Sequence, residues 1–303
     1  MESKVDRARL KSNSIIGAAP FSLEAAEKWV LEKTEGLPPE PFRLTSYWHI
    51  DFVRQPAPQE RKTRYTMRMA QSENYGLAFA LHGNPSKPDA DFVGKDARQI
   101  LKKRLWRDFI DRTALVDLVM GNLSQTAGEK VTLEGTVRSK YLERGRIFAD
   151  ESERLLRRKG KIKGSEPHIV VVGATAGIIN ALQTLGYNVS ATDLSAAILG
   201  KRLSGVKILD ATKYNERLMA KADVAIITGM TLPNQTLPVI MKHAQQYKTS
   251  TVIWAITGRN FGSYYVEQGA DCVISDPSPF LLLPGPASFV IHRSGNPALT
   301  KPF

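Results

Sequence analysis

Cysteine is nearly absent: Cys272 stands alone among 303 residues. That excludes an internal disulfide and a cysteine metal cluster. The five histidines are scattered, with no Cys or His cluster at ligand spacing, so no metal site is expected. No window approaches 18 uninterrupted apolar residues, which argues against a membrane span. The opening MESKVDRARLKSN is charged and has no apolar signal-peptide core. A cytoplasmic protein is the expectation. The motifs H-E-x-x-H, G-x-S-x-G and G-x-x-x-x-G-K are missing, and so is any internal repeat. N/D-P-P-Y/F, expected of many methyltransferases acting on nucleic-acid amino groups, is missing after the fourth strand of the second half.

Acid is also in short supply. The chain carries 42 Lys and Arg against 30 Asp and Glu, a net +12. Residues 167–303 hold 11 and 7 of these, so +8 of the excess lies earlier. Such a balance suits a nucleic acid or phosphorylated partner, or simply a solvated basic surface. At 42% hydrophobic, the chain has material for one large domain or two modest ones.

What is present is organised around HIVVVGATAGIIN, residues 168–180. His168 to Val172 reads as a strand buried on both faces. Gly173-Ala174-Thr175-Ala176-Gly177 follows at once, then a helix-spaced run closed by Gly186. Strand, glycine turn and helix open a nucleotide-binding βαβ unit, because glycine admits close approach and the helix start offers free N–H groups. The next strand ends at Asp193, 20 residues after Gly173. Such folds place an acid there to bind ribose hydroxyls. The turn is G-x-T-x-G, not G-x-G-x-x-G.

Further strands are expected at Val206–Asp210, Ala222–Ile227, Thr251–Ile256 and Asp271–Ser275, with helices between and a final hairpin from Phe280–Leu283 and Phe289–His292. This rhythm implies a doubly wound, mostly parallel, Rossmann-like sheet over residues 165–303. Its strand C-termini carry Gly173, Ala174, Thr175, Gly177, Asp193, Leu194, Asp210, Ala211, Thr228, Gly229, Met230 and Thr231, which should converge on one crevice.

Residues 1–164 read as a mainly helical, aromatic and basic cap or lid, opening with a flexible arm over 1–19. Helices are expected from Ser22 to about Gly36, over Arg64–Leu81, over Asp96–Met120 and over Val137–Arg157. Linkers are expected at Gln55–Pro58 and Arg157–Gly164, and a loop at His82–Pro88.

Two ligands fit the crevice: a dinucleotide and S-adenosylmethionine. Both carry a ribose for Asp193, but the looser glycine turn suits the ligand without a pyrophosphate. The class I methyltransferase-like variant of the fold is therefore expected, with Asp210 and Ala211 beside the adenine. The Thr228–Thr231 loop would face the methionine part. Tyr47, Trp48, Tyr75 and Tyr141 are candidates to hold the sulfonium by cation–π attraction, worth about 0.5–2 kcal/mol. Asn234 either orients the amino acid or caps a helix. Cys272, inside an apolar strand, is expected to be inert.

Residues 222–271, particularly the run ADVAIITGMTLPNQTLPVIMKHAQQ, resemble the Rossmann-like domain of the heavy-metal-chelation family. The shared residues are Thr228, Gly229, Thr231, Asn234 and Thr236. The N-terminal half does not resemble that family's. In architecture the chain is also similar to the azetidine-2-carboxylate synthases. That similarity implies cyclisation of S-adenosylmethionine with release of methylthioadenosine. Methyl transfer to a small molecule or RNA, a non-catalytic nucleotide or metal-chelate binder, and an NAD(P)-dependent oxidoreductase stay open. The expected partner is a small molecule, a nucleic acid is not favoured, and a homodimer is compatible with the sequence.

Overall fold

The computed structural model describes residues 19–54, 63–81, 90–106, 108–123, 128–161, 166–277 and 283–295. The N-terminal arm through residue 18, the Gln55–Pro58 linker, the His82–Pro88 loop, residues 162–164 of the basic linker and Phe280–Leu282 lie outside them.

The apolar run of β5 (His168–Val172) forms a central strand, flanked in parallel by β6 (Asn188–Asp193) and β9 (Val224–Thr228). Outward from these lie β8 (Val206–Asp210) on one side and β10 (Ser250–Ala255) and β11 (Cys272–Ser275) on the other. The six parallel strands thus run 3-2-1-4-5-6, the order of the doubly wound dinucleotide fold. A short β7 (Arg202–Leu203) pairs antiparallel with β8. The helices between the strands are α5 (Ala176–Thr184), α6 (Ala211–Met219), α7 (Leu237–Tyr247) and α8 (Gly262–Glu267).

Alternation sorts the central strand's side chains. Val170 and Val172 enter one apolar cluster, with Ala225, Ile227 and Ile253. Ile169 and Val171 enter the other, with Ile226, Val252, Ile178 and Leu182. Burial on both faces is why β5 reads as uninterrupted apolar sequence.

The expected C-terminal hairpin is corrected. β12 (Ala287–Arg293) runs antiparallel to β11 on one side and to β4 (Glu129–Leu133) on the other. A strand from the first half therefore closes the sheet edge.

The expectation of a mainly helical first half is also corrected. β1 (Ser46–Arg54), β2 (Thr63–Gln71) and β3 (Tyr75–Leu81) form an antiparallel sheet where a helix was expected over Arg64–Leu81. The misleading residue is Arg68. It is fully buried, and its Nε donates to Asp111 Oδ1 at 2.7 Å, so an inward strand position reads as polar. Asp96–Met120 divides into α2 (Ala97–Lys102) and α3 (Phe109–Leu123); Arg104, at φ +50°, interrupts the helix. Two helices form as expected: α1 (Leu23–Lys33), where Ser22 accepts the Ala25 N–H, and α4 (Val137–Arg158).

Helix α3 is buried along most of its length, between the small sheet and the large one. Its Asp117 joins the two. Oδ2 accepts the Leu77 N–H of β3 at 2.7 Å, and Oδ1 accepts the Asn260 N–H at 2.8 Å. The Asn260 Nδ2 in turn donates to the carbonyls of Tyr75 and Asp117. Full burial pushes the Asp117 carboxyl up to about 8, although the backbone N–H bonds pull it down.

Because the folded pKa lies above the unfolded one, this group's contribution is complete below pH ~4 and erodes as pH rises toward 8. His292 acts in the opposite sense: burial lowers it to about 4, so its contribution is lost as pH falls below ~6.5. Thermal unfolding should therefore show stability falling between pH ~6.5 and 8. Asp117→Asn should flatten that fall while lowering the melting temperature throughout, since one backbone N–H loses its acceptor.

Candidate functional site

The carboxyl ends of the parallel strands gather the crevice. Gly173 leaves β5 at φ +88°, and a Cβ there would stand 2.3 Å from Thr228 Cγ2. The ends of β5 and β9 thus meet at the point where strand order reverses, the usual ligand position in such sheets. The turn is tied to β6 as well. Gly173 N–H donates to the Thr192 carbonyl, and Ala174 N–H donates to Asp193 Oδ2 at 3.0 Å. The Ser195 N–H donates to Asp193 Oδ1 at 2.7 Å, with Leu194 half-buried between them. Burial raises the Asp193 carboxyl and these backbone N–H groups oppose the rise. A carboxylate has about four acceptor positions, so capacity remains beyond the Ala174, Leu194 and Ser195 N–H groups.

Thr175 is the N-cap of α5 and makes no side-chain cap bond. Gly177 packs against α4. Its Cα faces Tyr141 of α4: an added Cβ would lie 2.9–3.1 Å from the ring and hydroxyl. Gly145 meets the Gly177 carbonyl from the same side, at 2.7 Å for an added Cβ. Small residues let the two helices touch, and they set Tyr141 on the first turn of α5.

Other expected site residues have local duties. Asp210 pairs with Asp193 in register and caps α6, accepting from the Thr212 N–H and hydroxyl, with Ala211 buried behind it. Gly229 is demanded by the Thr257 carbonyl, 2.3 Å from where a Cβ would stand. Thr231 is buried and donates to the Thr228 carbonyl at 2.6 Å, while Thr228 Oγ1 receives the Met230 N–H. Asn234 is half-buried and is not a helix cap; Thr236 holds that place for α7.

Of the candidate N-terminal aromatics, Tyr141 alone is seen against the glycine turn's helix; Tyr47, Trp48 and Tyr75 have other contacts. Tyr47 donates to Asp111 Oδ1 at 2.5 Å in the network that buries Arg68, and burial beside Asp111 raises its hydroxyl well above the ordinary range. Trp48 is 49% exposed and donates to Ser46, because alternation along β1 turns it opposite to Tyr47. Tyr75 starts β3, with the Arg259 guanidinium 4.5 Å from its ring centroid. Cys272 is buried, which pushes its thiol well above the ordinary range.

A neighbouring group was missed by sequence reasoning. Asp276 follows β11 immediately, its Oδ2 accepting the Trp254 indole N–H at 2.8 Å. Arg144, one helical turn from Lys140 on α4, places Nε 2.8 Å from the same oxygen and its guanidinium 4.4 Å from the Trp254 ring centroid. Lys140 is fully buried and donates to the carbonyls of Leu283 and Gly285, each at 2.7 Å. An acid directly after a parallel strand was the available signal; its cationic partners lie too far away in sequence to be read. Among the described residues, no group of three or more His, Cys, Asp or Glu could hold a metal ion. No helix among them is long and apolar enough to cross a membrane.

The Gly177–Tyr141 contact is testable. Gly177→Ala should destabilise the protein by roughly 1–3 kcal/mol through overpacking. In a Tyr141→Ala background the same change should cost much less, giving a coupling of ~0.5–3 kcal/mol in a denaturant double-mutant cycle.

Comparison with known proteins agrees with this geometry at the level of fold. Among curated proteins, none matches the chain. A DUF364 protein of unknown function from Pyrococcus horikoshii aligns over 84% of this chain and 86% of its own, at 13% identity and a TM-score of 0.48. One from Desulfitobacterium hafniense DCB-2, also of unknown function, aligns over 90% and 98%, at 10% identity and a TM-score of 0.52. The latter shares the overall fold. The DUF364 family model, described as "Putative heavy-metal chelation", matches residues 162–253, from the strand–glycine–helix unit into β10.

Proposed function

We propose that the crevice binds S-adenosylmethionine and that the chain is an enzyme acting on a small molecule through it. The observation that carries this reading is the pairing of Asp193 with the glycine turn at the switch point. Asp193 is held by the backbone N–H groups of Ala174, Leu194 and Ser195 and keeps acceptor capacity for a ribose hydroxyl. The position of Tyr141 favours a ligand without a pyrophosphate. Its ring stands on the first turn of α5, where the phosphates of a dinucleotide would approach the helix.

S-adenosylmethionine supplies its own electrophile, a sulfonium. The protein's task is then positioning and water exclusion, which can supply much of a rate enhancement. Asp193 would fix the adenosine, and the half-buried Thr228 and Met230 would face the remainder of the ligand. The preferred reaction is cyclisation: the neutral α-amine attacks its own γ-carbon, the carbon–sulfur bond breaks, and methylthioadenosine leaves with the electron pair. The amine's proton passes to solvent or a nearby base; an α-amino group titrates near ~8, so little assistance is required. A second reading, an NAD(P)-dependent enzyme, is favoured by the 3-2-1-4-5-6 strand order.

Incubation of the protein with S-adenosylmethionine alone, followed by mass spectrometry, tests the reaction. The expected products are methylthioadenosine and azetidine-2-carboxylate, lost in Asp193→Ala. Ligand that binds but survives intact rejects cyclisation and leaves methyl transfer. Calorimetric binding of NAD(P) in place of S-adenosylmethionine overturns the proposal in favour of the second reading.

A further inference from the structure

We propose that Arg144 and Arg259 form a binding site for the oxyanion of a small molecule, a carboxylate or a phosphate, at the carboxyl ends of β10 and β11. The inference stands apart from the ligand assigned to Asp193.

The carrying observation is a surplus of buried donors. Arg144 is 8% exposed, yet its Nε and Nη2 have no hydrogen-bond partner. Nε lies 2.8 Å from Asp276, a close ion contact whose N–H direction misses the oxygen. The Nη1 of Arg259 is buried without a partner too. Its guanidinium stacks on Tyr75, and burial lowers its pKa while Asp276 opposes that shift.

Among the described residues, the other buried and half-buried arginines donate to at least one partner; Arg154 leaves a buried Nη2 unpartnered but donates from Nε to Glu151. Arg68 reaches Asp111, Arg98 reaches Asp96 and the carbonyls of Thr34 and Leu37, and Lys140 spends its charge on two carbonyls one turn from Arg144. A guanidinium with a structural role donates in this way; these two do not.

Charge points in the same direction. Arg144 and Arg259 bring two cations to one carboxylate, Asp276. A buried excess of positive charge is costly unless an anion completes it. The aromatic contacts also suit the task. Trp254 and Tyr75 hold the guanidinium faces and leave their N–H edges for an oxyanion, the geometry that makes arginine a bidentate ligand.

The test is thermal unfolding of the full chain in inorganic phosphate, in succinate and in chloride, at equal ionic strength. Phosphate or succinate, whichever matches the natural group, should raise the melting temperature saturably by about 2–4 °C over chloride. Arg259→Met should abolish that rise while leaving the melting temperature in chloride equal or higher, since a buried unpaired charge is removed. Arg144→Lys keeps the charge but loses the planar fork, and should weaken the response about tenfold. Asp193→Ala should leave the response intact, which separates this site from the adenosine crevice. The proposal is overturned if neither anion acts, if Arg259→Met responds like the parent, or if that variant is destabilised in chloride.

Discussion

The Asp117 carboxylate is the constraint on which the relation between the two sheets depends. It sits on a helix belonging to the first half and takes N–H groups from β3 and from the segment after β10. Each bond is modest by itself, but a buried acceptor or donor left unmade costs more than the bond returns. Helix α3, the edge of the small sheet and residues 259–260 are therefore tied together. Gly121 adds a steric term: a Cβ there would strike the Asn260 side chain at 2.8 Å. The consequence reaches the site, because Arg259 adjoins Asn260 and stacks on Tyr75, the first residue of β3.

Two chemistries thus lie along one row of strand ends. Toward β6, Asp193 and the glycine turn present acceptors and a tight backbone. Toward β11, arginines and flat aromatic rings present donors and positive charge. A molecule with a sugar at one end and an acid at the other would match both, provided its length suits the interval.

Legibility from sequence followed the physics of burial. β5 was plain because both of its faces are apolar, and Asp193 because a turn glycine and an acid are separated by one helix and one strand. α1 and α4 announced themselves through Ser22 and through an apolar stripe ending in arginines. β2 did not, because Arg68 occupies an inward position and is stabilised by Asp111, a partner far along the chain. β4 was hidden for a different reason. EKVTL is too short and too exposed to carry a signal of its own, and its pairing with β12 is wholly non-local. The anion group shares that fate, since Arg144 and Asp276 meet only after the sheet is assembled.

The pairing of β4 with β12 bears on how the chain is made. Residues 129–133 leave the ribosome long before residues 287–291, to which they pair. At typical synthesis rates of roughly 5–20 residues per second, β4 waits roughly 8–30 seconds for its neighbour. During that interval its backbone donors and acceptors are a free strand edge, which invites pairing with other chains. Glu129 and Lys130 both lie exposed on it, and charge on an unpaired edge discourages such contacts. Pairing of β12 with β4 is thus a late event with high contact order, and it locks a much earlier strand in place.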